Sequence, residues 1–130
     1  MNAQPRLLLI DDEPALGDFL ATVAQGCGFH PVLTSEDGKF RDEFRAERPD
    51  LVALDLGMPG MDGVELLRFL AAEHFQGPVL IVSGFDRRVL DSAFRLGQAI
   101  GLQMVGPLAK PARLEEVEVV LNNLKELLDQ

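Results

Sequence analysis

Residues 7–14 read Leu7-Leu8-Leu9-Ile10-Asp11-Asp12-Glu13-Pro14: four apolar residues, three acids and a proline. A short apolar run bounded by polar residues fits a strand buried on both faces. Proline is tolerated in the first turn of a helix, where its missing N–H has no partner to lose. The stretch therefore predicts a strand, an acidic turn and a helix. The same succession recurs along the chain, with apolar runs at Pro31-Val32-Leu33, Leu51-Val52-Ala53-Leu54, Val79-Leu80-Ile81-Val82 and Met104-Val105. Between them the spacing turns helical: Phe40 with Phe44, Val64 with Leu67, and Leu90 with Ala93, Phe94 and Leu96. The last segment, Leu114, Val117, Leu121, Leu124 and Leu128, steps by three and four. Asp62 and Asp86 are suited to cap helices, Gly28 to end one, and Pro49 to stop the one before it.

Strands separated by helices imply right-handed crossovers and a parallel sheet covered on both faces. The expected fold class is α/β, a single doubly wound (βα)5 domain. Periodicity leaves the strand order open, and the flavodoxin-like order 2-1-3-4-5 is the commonest solution. A chain of 130 residues with 47% apolar content suits one domain over residues 1–130, with no output domain expected within it.

A formal net charge of -9 argues against a phosphate backbone or an anionic membrane as a direct partner. The single Cys27, in Gly26-Cys27-Gly28, reads as a small packed residue at a helix end in a reducing compartment. Residues 1–6 lack the pattern of a signal peptide, and no segment approaches the roughly 18 apolar residues of a membrane span. A cytoplasmic location is expected.

In open α/β sheets, ligands bind beyond the carboxyl ends of the strands. Those ends carry Asp11-Asp12-Glu13 after the first strand, Asp55 after the third, Ser83-Gly84 after the fourth and Lys110-Pro111 after the fifth. Carboxylates so grouped repel, by about 4 kcal/mol for a pair ~4 Å apart at an effective dielectric near 20. A cation must offset that repulsion, and oxygen ligands with room for water favour Mg2+. Ser83 can donate a hydrogen bond to a phosphoryl oxygen, and Lys110 can neutralise another. These are the parts of a phosphoryl-transfer site, with Asp55 the best-placed nucleophile.

Ile10-Asp11-Asp12-Glu13-Pro14, the run Leu54-Asp55-Leu56-Gly57-Met58-Pro59-Gly60-Met61-Asp62-Gly63, Val82-Ser83-Gly84 and Lys110-Pro111 together resemble the receiver domain of bacterial two-component response regulators (CheY-like). The resemblance implies that Asp55 is the phosphoacceptor, Ser83 the switch hydroxyl and Lys110 the contact to the phosphoryl group. It implies Mg2+ held directly by Asp12 and Asp55, by Asp11 through water, and by the backbone carbonyl of Gly57. It further implies a histidine kinase or phosphotransfer protein as partner, and a downstream protein or output domain. Such a domain is a phosphoacceptor rather than an enzyme, slow to dephosphorylate where Gly57 and Phe85 flank the attacking water, since neither orients it. Pro59, Gly60 and Gly63 are loop formers, and His30 and His74 match no motif position.

One position departs from the family. Many receivers carry Tyr or Phe three residues before the lysine, and that ring swings inward on activation; here the residue is Pro107. Proline has no N–H, so the strand must lack a partner on that side, as an edge strand does. Phe85 and the segment after Ser83 are then the expected reporters. Residues 101–111 are also similar to receivers coupled to EAL-type cyclic-di-GMP phosphodiesterase domains. Competing readings are a haloacid-dehalogenase-type phosphatase, which needs Asp-x-Asp after its first strand, and a flavin carrier, which needs Trp or Tyr to stack on the ring or a Ser/Thr-rich phosphate loop after the first strand. A third is a receiver-like module that signals by contact without phosphorylation.

Overall fold

Each apolar run becomes a parallel strand. In the computed structural model, which describes residues 4–57, 63–84 and 87–129, the order is β1 (Arg6–Ile10), α1 (Pro14–Gly26), β2 (His30–Thr34), α2 (Asp37–Ala46), β3 (Leu51–Asp55), α3 (Gly63–Ala72), β4 (Pro78–Ser83), α4 (Arg87–Ala99), β5 (Gln103–Ala109) and α5 (Leu114–Leu128). The strands lie in the order β2-β1-β3-β4-β5 with every pairing parallel, the flavodoxin-like arrangement expected from the sequence.

Alternate residues of a strand face opposite sides of the sheet, so the central strands supply two cores. Leu8, Ile10, Val52, Leu54, Val79 and Ile81 meet α2, α3 and α4 on one face. Leu7, Leu9, Leu51, Ala53, Leu80 and Val82 meet α1 and α5 on the other. On the first face Phe44 stands edge-on to Phe69 and Phe75, with ring centroids 5.3 and 5.6 Å apart.

The local signals explain the element ends. Pro14 opens α1, and Gly28 takes the left-handed φ of 93° just beyond its C-cap, Cys27. α2 ends at Ala46, ahead of Pro49. Leu114, the first residue of α5, is exposed, and burial along that helix begins at Val117. The suggested caps Asp62 and Asp86, with Pro59 and Gly60, lie outside the described residues.

β5 is an edge strand, as Pro107 requires, and it is longer than the two-residue run that signalled it. It also carries a bulge. Leu80 pairs with Val105 and Val82 with Leu108, so two steps along β4 are met by three along β5. Gly106 sits in that bulge at φ 96°, where a Cβ would come 3.1 Å from the Ile81 carbonyl oxygen.

Candidate functional site

Four adjacent strands end at one edge, and their ends carry the chemistry. Asp11 follows β1, Asp55 closes β3, Ser83 closes β4 and Lys110 follows β5. Asp11 and Asp55 are 3% and 2% exposed, far more buried than carboxylates usually are. Each is fixed by a turn of its own. The Glu13 N–H donates to Asp11 Oδ1 and the Gly57 N–H to Asp55 Oδ1, both at 2.8 Å, a two-residue reach that Asp side chains commonly make.

The second oxygen of each carboxylate is left to Lys110. Its Nζ lies 2.9 Å from Asp55 Oδ2 and 3.7 Å from Asp11 Oδ2, and it donates to Glu13 Oε1 at 3.2 Å. The Lys110 backbone N–H donates to the Ser83 carbonyl at 3.0 Å, tying the end of β4 to the segment that bears the lysine.

Burial pushes the Asp11 carboxyl above the usual carboxylate range. The charges of Asp55 and Glu13 add to that rise, while the Glu13 N–H and Lys110 oppose it. Burial works in the opposite sense on the Lys110 ammonium, but hydrogen bonds to Asp55 and Glu13 and the charges of Asp55 and Asp11 outweigh it and raise its pKa.

Carboxylate oxygens of Asp11, Asp12, Glu13 and Asp55 all lie within 4.8 Å of one another. Asp11 Oδ2 is buried and accepts no hydrogen bond. Among the described residues Lys110 pairs with three of these four carboxylates, Asp11, Glu13 and Asp55, so the all-oxygen set fits a small, hard divalent cation.

The structure thus brings together Asp11, Asp12, Asp55 and Lys110. Gly57 lines the hollow of about 650 Å³ above them, with Asp12, Glu13, Gly84 and Lys110. Ser83 is buried and opens onto a neighbouring groove of about 470 Å³ that shares Gly84 and Lys110. His30, at the opposite end of β2, and His74, beyond α3, are exposed and take no part. Cys27 packs beside the α1–α5 core, where burial first and the charge of Glu118 second push its thiol up, so it is a poor nucleophile. Phe85 lies outside the described residues. The sequence reading gave Glu13 no role, although it holds Lys110; its one signal was its place as the third acid of the run.

The family model for the response regulator receiver domain matches residues 7–122. The DNA-binding response regulator MtrA of Mycolicibacterium smegmatis is 40% identical over 81 residues, 62% of this chain and 36% of that protein. A protein-glutamate methylesterase/protein-glutamine glutaminase of Burkholderia thailandensis is 37% identical over 108 residues, 82% of this chain and 29% of that protein. The chain spans about a third of the length of these curated relatives. Among solved structures, a response regulator from Colwellia psychrerythraea superposes with a TM-score of 0.80 at 27% identity, covering 95% of this chain and 98% of that one. The chemotaxis protein CheY4 of Vibrio cholerae shares the fold, with a TM-score of 0.79 at 20% identity over 94% of this chain and 99% of that one.

Proposed function

The chain belongs to the receiver-domain family of two-component response regulators, and on that premise we propose that Asp55 is its phosphoacceptor. The observation that carries this reading is the burial of Asp55 with Oδ2 2.9 Å from Lys110 Nζ, beside three further carboxylates. Lys110 holds the Asp55 carboxylate in place. An Asp55 oxygen attacks the phosphorus of a phosphohistidine on a histidine kinase or phosphotransfer protein; a P–O bond forms as the P–N bond breaks. The Lys110 ammonium pairs with one phosphoryl oxygen, and the Ser83 hydroxyl donates to another. Asp12 and Asp55 would hold Mg2+ directly, with Asp11 through water and the Gly57 carbonyl, and the bound ion would neutralise the charge of the phosphoryl oxygens.

The domain acts as an acceptor, and its own dephosphorylation is slow because Gly57 offers no side chain to orient a water. The printed roles of the relatives differ, DNA binding in one and methylesterase in another. The output therefore lies in a downstream protein or a further domain, with an EAL-type domain one such partner, and residues 1–130 form the receiver alone. A cytoplasmic location fits the partners, and no helix among the described residues is long and apolar enough to cross a membrane. Neither nucleic acid nor membrane is a direct partner, in keeping with the charge of -9.

A second reading, signalling by contact without phosphate, is favoured by Pro107 alone. Intact mass after incubation with acetyl phosphate and Mg2+ separates the two. The wild type should gain one phosphoryl group and Asp55→Asn none; a gain that persists at another residue, or no gain in either protein, would overturn the assignment.

A further inference from the structure

Phosphorylation of Asp55 would replace one negative charge with about two in a pocket where, among the described residues, Lys110 already pairs with three carboxylates of a four-acid cluster. The groove beside that pocket holds a second cation. Its lining includes Ser83, Lys110, Pro107, Asp91 and Arg87, the first residue of α4. The bulge and Pro107 occupy the β5 position where a ring would otherwise stand, so the groove of about 470 Å³ stays open from Ser83 to the α4 side.

Arg87 is exposed, and among the described residues it makes no hydrogen bond or ion pair. Asp91, one turn along the same helix, would be its natural i,i+4 partner and lies in the same groove, yet the two are not paired. A cation in the first turn of a helix also opposes the helix dipole, and the first turn of α4 holds no acid to offset it. Among the described residues Arg87 is therefore unengaged, and it borders the same space as the two side chains that would grip the phosphoryl group.

We propose that Arg87 is a second cationic contact for the phosphoryl group on Asp55, reaching it through the groove that Pro107 leaves open and drawing the start of α4 toward β5. This rests on the phosphorylation of Asp55. A guanidinium matches phosphoryl oxygens with two parallel donors, which an aromatic ring at β5 could not do. The change read by a partner is then one of charge: a cation on α4 turns from solvent to the interior.

The test is titration of the full chain with beryllofluoride and Mg2+, followed by NMR and by amide exchange over residues 87–109, for wild type, Arg87→Ala, Arg87→Gln and Arg87→Lys. Half-saturation should rise about tenfold in Arg87→Ala and Arg87→Gln and no more than threefold in Arg87→Lys. The protection that the mimic confers on residues 87–99 should survive only in wild type and Arg87→Lys. Gln keeps polar N–H donors without the charge, so a role in neutral hydrogen bonding alone predicts that Gln, not Lys, restores behaviour. Half-saturation within threefold of wild type in Arg87→Ala, or rescue by Gln, overturns the proposal. If the wild type labels on Asp55 with acetyl phosphate, such a result removes Arg87 alone; if it takes no label at all, both readings fall.

Discussion

The sheet centre and its β5 edge are built to different tolerances. All residues of β3 and β4 are buried, and they end in Asp55 and Ser83, each set in place by closely packed backbone. β5 alternates irregularly between exposed and buried, carries a bulge and a Gly106-Pro107 pair, and borders an open groove. Phosphoryl chemistry depends on position to within fractions of an ångström, which a packed centre provides. A response to that chemistry needs an element of low local stability, which a half-solvated edge provides. The two demands meet at Lys110, which leaves the soft edge and reaches into the rigid centre.

The largest expected difference between the two regions is one of stability. Leu54→Ala, in the fully buried centre, should cost about 3 kcal/mol, or about 10 °C in melting temperature. Val105→Ala on β5 should cost about 1 kcal/mol. Equal losses in urea titrations would remove the contrast.

Next in size is Lys110→Ala, which strands the Asp55 and Asp11 carboxylates without their cation. Because Lys110 is partly solvated, the loss should be about 2 kcal/mol in the absence of divalent ions. Added Mg2+ should recover part of it. A variant as stable as wild type without Mg2+ would show that the carboxylates tolerate one another.

Metal titration sharpens the division of labour among the acids. Asp12→Ala should weaken Mg2+ binding at least tenfold, about 1.4 kcal/mol, and more than Asp11→Ala does. Unchanged affinity in Asp12→Ala would contradict the proposed ligand set.

The smallest effect concerns Asp11 itself. Its folded pKa is raised, mainly by burial, so what it contributes to stability is present below the unfolded value of 3.8 and is lost as pH rises through the folded value. Asp11→Asn should therefore stabilise the metal-free protein, by on the order of 1 kcal/mol near neutrality. The gap to wild type should widen with rising pH in melts at several pH values; a gap that narrows would reverse the sign. Lys110 behaves otherwise: its pKa is raised too, but from 10.5, so its contribution is intact at neutral pH and lost only in strong alkali.

The alternation of strands and helices, and the placing of Asp11, Asp12, Asp55, Ser83 and Lys110 at strand ends, were legible in the chain of residues alone. Those features are local, since apolar runs, an N-terminal proline and a glycine beyond a helix act over a few residues. The edge position of β5 was also legible, because Pro107 cannot donate to a neighbouring strand. Which acids are buried emerges only when the chain folds, for Asp11 is enclosed and the adjacent Asp12 is exposed. The same is true of the grip of Glu13 on Lys110, made across 97 positions of chain, and of the bulge that sets Gly106 beside Ile81. Burial and the pairing of charges depend on which distant segments meet, and no local pattern encodes that.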